Sequence, residues 1–578
     1  MMFRSEIRKM LLEAAEKIIP EGEAVPGFSV EVPESLEHGD YASNIALALA
    51  KVLKKPPMEV AGLLVEQLTT YDQQLTTKIE IATPGFINFS IKDKFLFREL
   101  ENVLKVPDEW GKSDEGNGKT VVVEYFQLNI AKRPHVGHLR SAVIGDAIKR
   151  MLLSQGYNAV SDTHVGDWGT QFGILLLAYK EVYGGKPMGE LGDPFDVFEK
   201  LYIEENERIE KDPSRRERAK EEFAKMERGD PENREIWEWM VDVSMKKLEE
   251  SAVRLNLLPF DEHRGESAYE EVMPKIVELA LEKSIAKKTT DGAIVVDLIA
   301  EKLDEAVLIK SDGASTYLLR DLATIQYRKG KYDFFRNLYV VDIRQSHHFK
   351  QVFRVAELLG FGGVGESEHV EFGFMTSPEG AFSTRKGTAI SLDAVLDEAH
   401  GKAFAVIKEK NPNLGNAEKV AGVVGLGALK YFDLSHHRKS DVVFRWEDAL
   451  SFEGNTGPYI QYTHARLKSI LRKVDGSLGP DFEVAGKPEP DELEHELLVS
   501  LLRLPEVIED ALKDFTPNTL ANYLFLFAQR VNEFYHSHPV LKEPDQIKLS
   551  FRKDLVRASA ITIKNALGLL GIDAPEEM

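Results

Sequence analysis

The sequence predicts a multidomain α/β protein with a small α/β domain at the N-terminus, a central parallel-sheet domain with a helical insertion, and a C-terminal α-helical bundle. The chain has 578 residues, too long for one hydrophobic core, and corresponds to roughly two to four domains. Strand-like and helix-like segments alternate as far as about residue 450, a pattern typical of parallel sheets covered by helices. From Ser451 onward the apolar spacing is almost purely helical.

The composition is that of a globular protein. Hydrophobic residues make up 43% and charged residues 29% of the chain, and no apolar run is long enough to cross a bilayer. The first twenty residues combine charges with an amphipathic helical pattern, unlike a secretory signal. Cysteine is absent, which excludes disulfides and thiolate metal sites and fits a reducing cytosol. We therefore expect a cytoplasmic protein without a membrane partner.

The net charge is −22, from 73 basic and 95 acidic residues, which is unusual for a protein that binds nucleic acid. Such binding nevertheless requires only a local basic face, because charges are screened over about 8 Å at physiological salt. The composition therefore does not exclude a nucleic-acid partner.

Residues 1–112 are predicted to form the N-terminal domain, and a Gly-rich, charged linker at residues 112–118 follows it. Its segments alternate, with strands at Val30–Pro33 and Gly85–Ile91 and helices at Ala42–Leu53 and Glu59–Leu68. These patterns alone are equally compatible with a stabilising module that has no function of its own.

The central domain begins with a strand, a loop and a helix. Thr120–Phe126 is rich in β-branched and aromatic residues and is predicted to be a buried strand, and a helical pattern ends near Gly156. The loop between them carries His135, Gly137 and His138. A helix N-terminus binds phosphate through unpaired amides, two imidazoles one turn apart add hydrogen-bond donors, and the glycine lets a flat adenine or ribose approach the backbone. This pattern favours attack on an α-phosphate, although histidines at a helix start can also be simple caps.

A second strand is predicted at Asn158–Ser161, so this segment is a βαβ unit with parallel strands. Ligands of such sheets bind outside the carboxyl ends of the strands, where the two histidines are expected. We place the central domain at residues 113–450. Within it, the dense charge of residues 180–265 predicts inserted helices, whose charges more often form a solvated face than an RNA contact.

The run from Glu124 to Gln171, EYFQLNIAKRPHVGHLRSAVIGDAIKRMLLSQGYNAVSDTHVGDWGTQ, resembles the active-site segment of class I aminoacyl-tRNA synthetases, and of arginyl-tRNA synthetases in particular. The shared pattern is an asparagine, a nearby lysine, His-x-Gly-His-Leu-Arg-Ser and a later Gly-Asp-Trp-Gly-Thr-Gln block. The resemblance implies a Rossmann-type catalytic domain that binds ATP through His135, Gly137 and His138, with the two histidines catalytic. It extends to the N-terminal domain through GDYASNIA and GFINF, and implies that this domain contacts the elbow of tRNA.

A carboxylate pocket is predicted around Tyr317-Leu318-Leu319-Arg320-Asp321. A guanidinium group is planar, charged and forked, so carboxylates and an aromatic or hydroxyl wall suit it. Asp321 and Glu124 can supply the carboxylates and Tyr317 the wall. The sequence alone nevertheless favours the alternative, in which Asp321 pairs with Arg320 or Arg328 on the helix surface. The resemblance reverses that balance. It implies that these three residues bind the guanidinium group of arginine, and that Asn129 and Gln345 bind its α-amino end.

The adjacent histidines His347 and His348 have no third ligand at a regular spacing and no neighbouring cysteine. Adjacent histidines alone are weak indicators of a metal site. We interpret both as packing and loop residues, and we predict no metal site.

A second phosphate-binding segment is predicted at Ser383, Thr384, Arg385 and Lys386. Hydroxyls and cations on a flexible loop can close over a triphosphate and neutralise the leaving pyrophosphate. The segment resembles the KMSKS signature of class I synthetases in a form that arginyl enzymes show, but Thr384 stands in the place of the catalytic lysine. The resemblance implies that Lys132, just before the HVGH loop, supplies a substitute cation.

Residues 451–578 are predicted to form the C-terminal bundle. Basic residues follow a Gly- and Pro-containing turn on a helix, where they can contact phosphates or simply be solvated. The region resembles the helical anticodon-binding domain of arginyl-tRNA synthetases, which ends in a Leu-Gly-Ile motif like Leu569-Leu570-Gly571-Ile572. Anticodon bases are read by stacking and edge contacts. The stacking candidates, each of which can also be a core residue, are Tyr459, Tyr462, Tyr523 and Phe527.

The resemblance implies an arginine–tRNA ligase, which forms arginyl-adenylate and diphosphate from ATP and L-arginine and then transfers arginine to the 3′ end of tRNA(Arg). Mg²⁺ is expected to accompany ATP, and a monomer is expected. One alternative is a non-catalytic tRNA-binding paralogue, which Thr384 favours and the intact histidines, Lys132, Asp321 and Gln345 disfavour. The other is a different nucleotidyltransferase, which would need neither the C-terminal helices nor the carboxylate pocket.

Overall fold

The computed structural model describes residues 3–33, 36–69, 75–184, 192–363, 365–378, 380–381, 390–479 and 486–578. The elements of its N-terminal region are α1 (Phe3–Glu16), β1 (Val30–Glu31), β2 (Tyr41–Ser43), α2 (Ile45–Leu53), α3 (Pro57–Thr69), β3 (Thr76–Ala82), β4 (Phe86–Ile91) and α4 (Asp93–Lys105). The strands form an antiparallel sheet in the order β1-β2-β4-β3, and α1, α2 and α3 pack on it.

The predicted helix over Ala42–Leu53 is wrong in its first turn. The helix begins at Ile45, and the preceding residues form β2. Tyr41 and Ser43 are each 1% exposed on one face of this strand, and Tyr41 pairs with Phe89 of β4. Burial with a period of two therefore outweighs the helical propensity of the alanines that follow.

The central region contains more elements than any other. In order they are β5 (Thr120–Glu124), α5 (Leu139–Ser154), β6 (Asn158–Asp162), α6 (Thr170–Tyr183), α7 (Pro194–Lys211), α8 (Ser214–Glu227), α9 (Pro231–Arg254), α10 (Met273–Glu282), β7 (Ala286–Lys288), β8 (Ile294–Asp297), β9 (Glu305–Ile309), α11 (Tyr317–Tyr332), β10 (Arg336–Tyr339), α12 (Ser346–Leu359), β11 (Ser367–His369), β12 (Met375–Ser377), β13 (Gly380–Ala381), α13 (Leu392–Lys410), α14 (Ala417–Leu434), β14 (Val442–Val443) and α15 (Trp446–Ala449). Three-stranded sheets are formed by β7, β8 and β9 and by β12, β13 and β14.

Four of these strands form a parallel sheet in the order β11-β10-β5-β6, which confirms the predicted parallel sheet. Val121 and Val123 of β5 face one hydrophobic cluster, and Val122 faces another. Both faces of the sheet are thus covered, which explains the continuous apolar run in β5. The strand order reverses between β5 and β10, and ligands of such sheets bind at the carboxyl ends of the strands beside this reversal.

Helices α7, α8 and α9 form the predicted insertion. Arg215 Nε lies 2.6 Å from Glu205 Oε1, and Arg215 Nη2 lies 2.6 Å from Glu181 Oε2. Glu205 is fully buried. Part of the dense charge in this segment therefore forms ion pairs between helices, in addition to the solvated face that the sequence predicts.

The C-terminal region is an α-helical bundle, as predicted, of α16 (Gly457–Leu478), α17 (Glu492–Leu502), α18 (Leu504–Lys513), α19 (Pro517–Ser537) and α20 (Gln546–Leu569). Tyr523 and Phe527 stack with ring centroids 5.8 Å apart and are buried, so they are core residues and not accessible to bases. Tyr459 is half-buried, and Tyr462 is 40% exposed. Across the described ranges, the structure contains no helix with both the length and the apolar character needed to span a bilayer.

The Leu-Gly-Ile segment packs between α5 and α14. Gly571 has a φ of +68°, and its carbonyl accepts a hydrogen bond of 2.8 Å from Lys430 Nζ. A Cβ at this position would lie 2.7 Å from Lys430 Nζ and from Asp146 Oδ2, so both conformation and space require glycine. Burial lowers the pKa of Lys430 to about 8.

The N-terminal and C-terminal regions are in direct contact. Arg4 Nη2 of α1 lies 2.7 Å from Glu509 Oε2 of α18. The ring of His495, on α17, lies between two carboxylates of the N-terminal region, 3.0 Å from Asp40 Oδ1 and 3.1 Å from Asp93 Oδ1. The two ends of the chain are therefore joined by side-chain contacts.

Candidate active site

The HVGH loop lies between the carboxyl end of β5 and the start of α5, at the sheet edge where the strand order reverses. Val136–His138 forms one 3₁₀ turn that leads into α5. The amides at a helix N-terminus point outward and carry partial positive charge. This end of α5 is therefore suited to a phosphate group.

The two histidines cap this turn reciprocally. The amide of Gly137 donates to His135 Nδ1 at 3.1 Å, and the amide of His135 donates to His138 Nδ1 at 3.2 Å. The ring centroids are 3.9 Å apart. Because an accepting nitrogen of a neutral imidazole carries no proton, the proton of His135 is assigned to Nε2, and His135 offers an Nε2–H donor. His138 Nδ1 also lies 3.2 Å from the carbonyl oxygen of His135, so the turn accommodates either tautomer of His138.

Both histidines are held in the neutral form. Burial lowers the pKa of His135, and the charge of Lys132 lowers it further. Burial and the neighbouring His135 lower the pKa of His138 to about 3. The pair is therefore equipped to act on a phosphate through hydrogen-bond donors and not through positive charge.

The structure supplies its own reason for a glycine at position 137, in addition to the nucleotide approach that the sequence suggests. A Cβ at this position would lie 2.8 Å from Cε1 and 2.9 Å from Nδ1 of His135. The missing side chain thus leaves room for the His135 ring, which folds back over the backbone. The expected approach of a nucleotide to Gly137 stays a prediction.

Lys132 is close enough to the HVGH loop for its charge to act on both histidines. Loss of solvation lowers the pKa of Lys132, and its Nζ lies 5.7 Å from the ring centroid of Tyr202. The preceding residue, Ala131, has a φ of +60°, a conformation that non-glycine residues rarely adopt and that clusters at functional sites. The other predicted phosphate-binding residues, Ser383, Thr384, Arg385 and Lys386, lie outside the described residues.

Glu124, at the end of β5, is held by an internal arginine. Its Oε2 lies 2.6 Å from Arg328 Nη2, which also lies 2.7 Å from Asp162 Oδ2 at the end of β6. All three side chains are at most 4% exposed. Oε1 of Glu124 accepts a hydrogen bond of 3.1 Å from Gln127 Nε2. The predicted guanidinium ligand is therefore already bound to a guanidinium group of the protein.

Asp321, one turn into α11, contacts two histidines. Its Oδ2 lies 2.6 Å from His348 Nε2, and its Oδ1 lies 3.9 Å from His164 Nε2. His347 and His348 both lie on α12, so their interpretation as loop residues is wrong. His348 does pack, against Phe349, and it is also bonded to the predicted arginine ligand Asp321. Tyr317, on the same face of α11 as Asp321, is 68% exposed and open to a ligand.

The two residues predicted to bind the α-amino end are both exposed. Asn129 pairs with Gly166 of the Gly-Asp-Trp-Gly block through a bridge between their backbones. A Cβ on Gly166 would lie 2.7 Å from Asn129 Oδ1, so this glycine leaves space for the asparagine side chain. Gln345 lies immediately before α12.

Two titratable residues near Asp321 were not singled out from the sequence. Burial alone would lower the pKa of His164, but the charges of Glu124 and Asp321 raise it overall, and its φ is +41°. Burial raises the pKa of Glu266 to about 7, and its Oε2 lies 3.5 Å from Arg320 Nη1. His164 lies inside the resembling run, but its sequence position alone does not reveal its carboxylate neighbours.

Three family models match this chain. The model described as tRNA synthetases class I (R), catalytic domain, matches residues 99–446. The arginyl tRNA synthetase N terminal domain matches residues 5–91, and the DALR anticodon binding domain matches residues 460–578.

Full-length relatives agree with these matches. The chain is 35% identical to an arginine–tRNA ligase of Fusobacterium nucleatum, covering 99% of both chains, and 38% identical to one of Clostridioides difficile, covering 95% of both. The arginyl-tRNA synthetase structure of Thermus thermophilus matches with a TM-score of 0.83 at 28% identity, covering 100% of both chains. The chain belongs to the arginyl-tRNA synthetase family of class I aminoacyl-tRNA synthetases.

Proposed function

We propose that the protein is an arginine–tRNA ligase. It activates L-arginine with ATP and transfers the arginyl group to tRNA(Arg). The observation that carries this conclusion is the pair of neutral imidazoles of His135 and His138 at the start of α5, on the same sheet edge as the carboxylates of Glu124 and Asp321. This arrangement, at the end of β5 and near the starts of α5 and α11, supports a phosphate site and a guanidinium site at one edge of the sheet. Membership of the family supports the same activity.

In the first step, a carboxylate oxygen of arginine attacks the α-phosphorus of ATP, and the bond to the bridging oxygen of pyrophosphate breaks. His135 and His138 donate Nε2–H bonds to phosphate oxygens while negative charge builds up on them. Such donors act by positioning and by charge stabilisation, so this step requires no general base. In the second step, a hydroxyl of the terminal adenosine of tRNA attacks the arginyl carbonyl, and AMP leaves.

Arginine is proposed to bind through Asp321, Tyr317 and Glu124, with Asn129 and Gln345 at its α-amino end. Arg328 holds Glu124 in place, and a carboxylate has about four lone-pair sites, so Glu124 can accept further donors. Lysine and citrulline lack the charged fork of the guanidinium group, so each would leave a buried acceptor unsatisfied.

Lys132 is proposed to supply the cation for the leaving pyrophosphate, with Ser383, Thr384, Arg385 and Lys386 as further phosphate ligands. Mg²⁺ is proposed to arrive bound to ATP and to neutralise phosphate charge. Among the described residues, one cluster has three potential metal ligands, and it lies in the C-terminal bundle, at Asp491, Glu494 and His538. The oxygen ligands for Mg²⁺ at the active site are therefore proposed to be phosphate oxygens and water.

The remaining assignments follow from the family. We propose domain boundaries near residues 112 and 450, contact of the N-terminal domain with the tRNA elbow, and anticodon binding by the C-terminal bundle. Tyr462 is the exposed stacking candidate of that bundle. A monomeric state and a cytoplasmic location are proposed as well.

ATP–pyrophosphate exchange tests the proposed function directly. The exchange is measured with each of the twenty amino acids, with and without bulk tRNA. The resemblance to arginyl-tRNA synthetases implies that the activation of arginine needs bound tRNA. A signal with arginine as the only active amino acid, and only when tRNA is present, supports both arginine as the substrate and this need for tRNA. No exchange under either condition, with tRNA still bound, would instead indicate the non-catalytic paralogue.

A further inference from the structure

The carboxylate of Asp321 is oriented by a residue outside the predicted arginine site. Asp321 Oδ2 lies 2.6 Å from His348 Nε2, within hydrogen-bond distance. Its other oxygen, Oδ1, lies 3.9 Å from His164 Nε2, which is beyond hydrogen-bond range. One oxygen is therefore fixed, and the other is available to a ligand.

His348 is itself held firmly. It lies on α12, next to Phe349, which is 3% exposed. The Phe349 ring packs against Tyr339 with centroids 5.0 Å apart and against His369 with centroids 4.7 Å apart. The His348 ring meets the edge of Phe349 at 5.4 Å. The donor to Asp321 thus comes from a packed helix and not from a mobile loop.

We propose that His348 is a positioning residue for the amino-acid site: its Nε2–H fixes Oδ2 of Asp321, so that Oδ1 is presented to the guanidinium group of arginine. This inference rests on the proposed role of Asp321 in arginine binding. Without His348, Asp321 is free to turn towards His164, its other partner, and away from the orientation that arginine requires. Holding the carboxylate in advance removes that ordering cost from substrate binding.

The contribution of His348 should appear in arginine binding. A hydrogen bond to a charged group contributes enough that its loss weakens binding about 10- to 100-fold. His348→Ala is therefore expected to raise the KM for arginine by about that factor in aminoacylation. The KM for ATP and the kcat should stay within about threefold of the parent enzyme, because His348 does not contact the phosphate site.

Two amide variants test the position of the donor. In glutamine the amide nitrogen can occupy the place of the histidine Nε2, whereas in asparagine it falls one methylene short. His348→Gln is expected to recover most of the affinity for arginine, and His348→Asn is not. His347→Ala is the matched control, because His347 is the adjacent residue on α12, is exposed and lies 3.4 Å from Asp304 instead of Asp321.

A double-mutant cycle with Asp321→Asn separates this inference from the proposed function. His348→Ala should have little further effect on the KM for arginine once Asp321 is replaced. If Asp321→Asn raises this KM and His348→Ala does not, the role of His348 is refuted and the proposed arginine site stands. If Asp321→Asn leaves the KM unchanged, the proposed role of Asp321 fails, and the inference fails with it. Equal recovery by glutamine and asparagine would also overturn it, and thermal unfolding of each variant checks that the fold is intact.

Discussion

Arg140 and Asp433 form a buried ion pair that joins the first turn of α5 to α14. Arg140 Nε lies 2.7 Å from Asp433 Oδ1, and both side chains are at most 2% exposed. Arg140 Nη1 also donates to the carbonyls of Gly373 at 2.7 Å and Ser440 at 3.0 Å. Because Arg140 follows His138 by two residues, these bonds fix the helix start beside His135 and His138, the proposed catalytic histidines.

Arg140→Ala is expected to destabilise the protein strongly, because it leaves the Asp433 carboxylate buried without a counter-ion. Breaking a buried pair in this way costs about 3–5 kcal/mol. Urea unfolding measures the loss. Arg354→Ala is the control, because Arg354 pairs with Glu301 at the surface, where a pair contributes about 0–1 kcal/mol. Equal losses for the two variants would contradict a structural role of the buried pair.

Replacing His138 by glutamine or asparagine should separate its two hydrogen bonds. Asparagine can accept from the amide of His135 as Nδ1 does, whereas glutamine places a donor where Nε2–H was. Loss of a donor to transition-state charge lowers kcat by about 100- to 1000-fold, so His138→Asn should lose this much and His138→Gln about tenfold. Rates of ATP–pyrophosphate exchange show which of the two variants is slower. If catalysis needs the cap and not the donor, His138→Gln should be slower than His138→Asn.

Gly137→Ala should displace the His135 ring, since the new Cβ would lie 2.8 Å from His135 Cε1. A displacement of this kind lowers kcat by about 10- to 100-fold while the fold is kept. Gly401→Ala is the matched control, because a Cβ there meets nothing within 4 Å. In steady-state aminoacylation, Gly401→Ala should keep a rate near that of the parent enzyme. A Gly137→Ala enzyme with parental kcat would show that the ring position is not critical.

Lys132→Met tests the proposed substitute for the missing lysine of the signature loop. Removal of one charge that stabilises the leaving pyrophosphate should lower kcat in the exchange reaction by about 100-fold, with little change in the KM for arginine. Lys94→Met, on α4 of the N-terminal region, serves as the control for loss of a lysine charge outside the proposed active site. Full activity of the Lys132→Met variant would assign the pyrophosphate role to other residues.

The pKa of Glu266 predicts how stability depends on pH. Burial raises this pKa from 4.5 to about 7, so between these values the folded state keeps a proton that the unfolded state has lost. Stability is therefore lost as the pH rises from about 4.5 to about 7, by roughly 3 kcal/mol for this group.

Glu266→Gln removes this ionisation and should make the protein more stable at pH 8 by up to roughly 3 kcal/mol, and no more stable at pH 4. Chemical unfolding at the two pH values provides the measurement. The control is Glu282→Gln, at an exposed position, which should change stability equally at pH 4 and pH 8. Equal effects of Glu266→Gln at pH 4 and pH 8 would contradict the raised pKa.

The local features of the site are predictable from sequence because they lie within short segments. The strand before His135 and the helix after His138 are both revealed by apolar spacing, and the parallel sheet follows from that βαβ unit. The structural reason for Gly137 was not predictable, because it depends on a histidine ring folding back over its own backbone.

Contacts between distant segments were not predictable from residue types. Asp321 and His348 are separated by 27 positions, and Arg328 reaches Asp162 across 166 positions. A helical arginine such as Arg328 ordinarily pairs with a carboxylate on its own helix. In this structure, the packing of α11 against the sheet places Arg328 between Glu124 and Asp162 instead.

The contact between Arg4 and Glu509 also constrains how the protein is made. A ribosome adds roughly 5–20 residues per second, so Glu509, which follows Arg4 by 505 positions, is added on the order of 25–100 s later. During this time the antiparallel sheet of β1 to β4 has been synthesised, but α17 and α18, which Arg4, Asp40 and Asp93 later contact, have not. Assembly of the two ends is therefore a late event in biosynthesis, and a nascent chain stalled before α17 would still present these residues to solvent or to a chaperone.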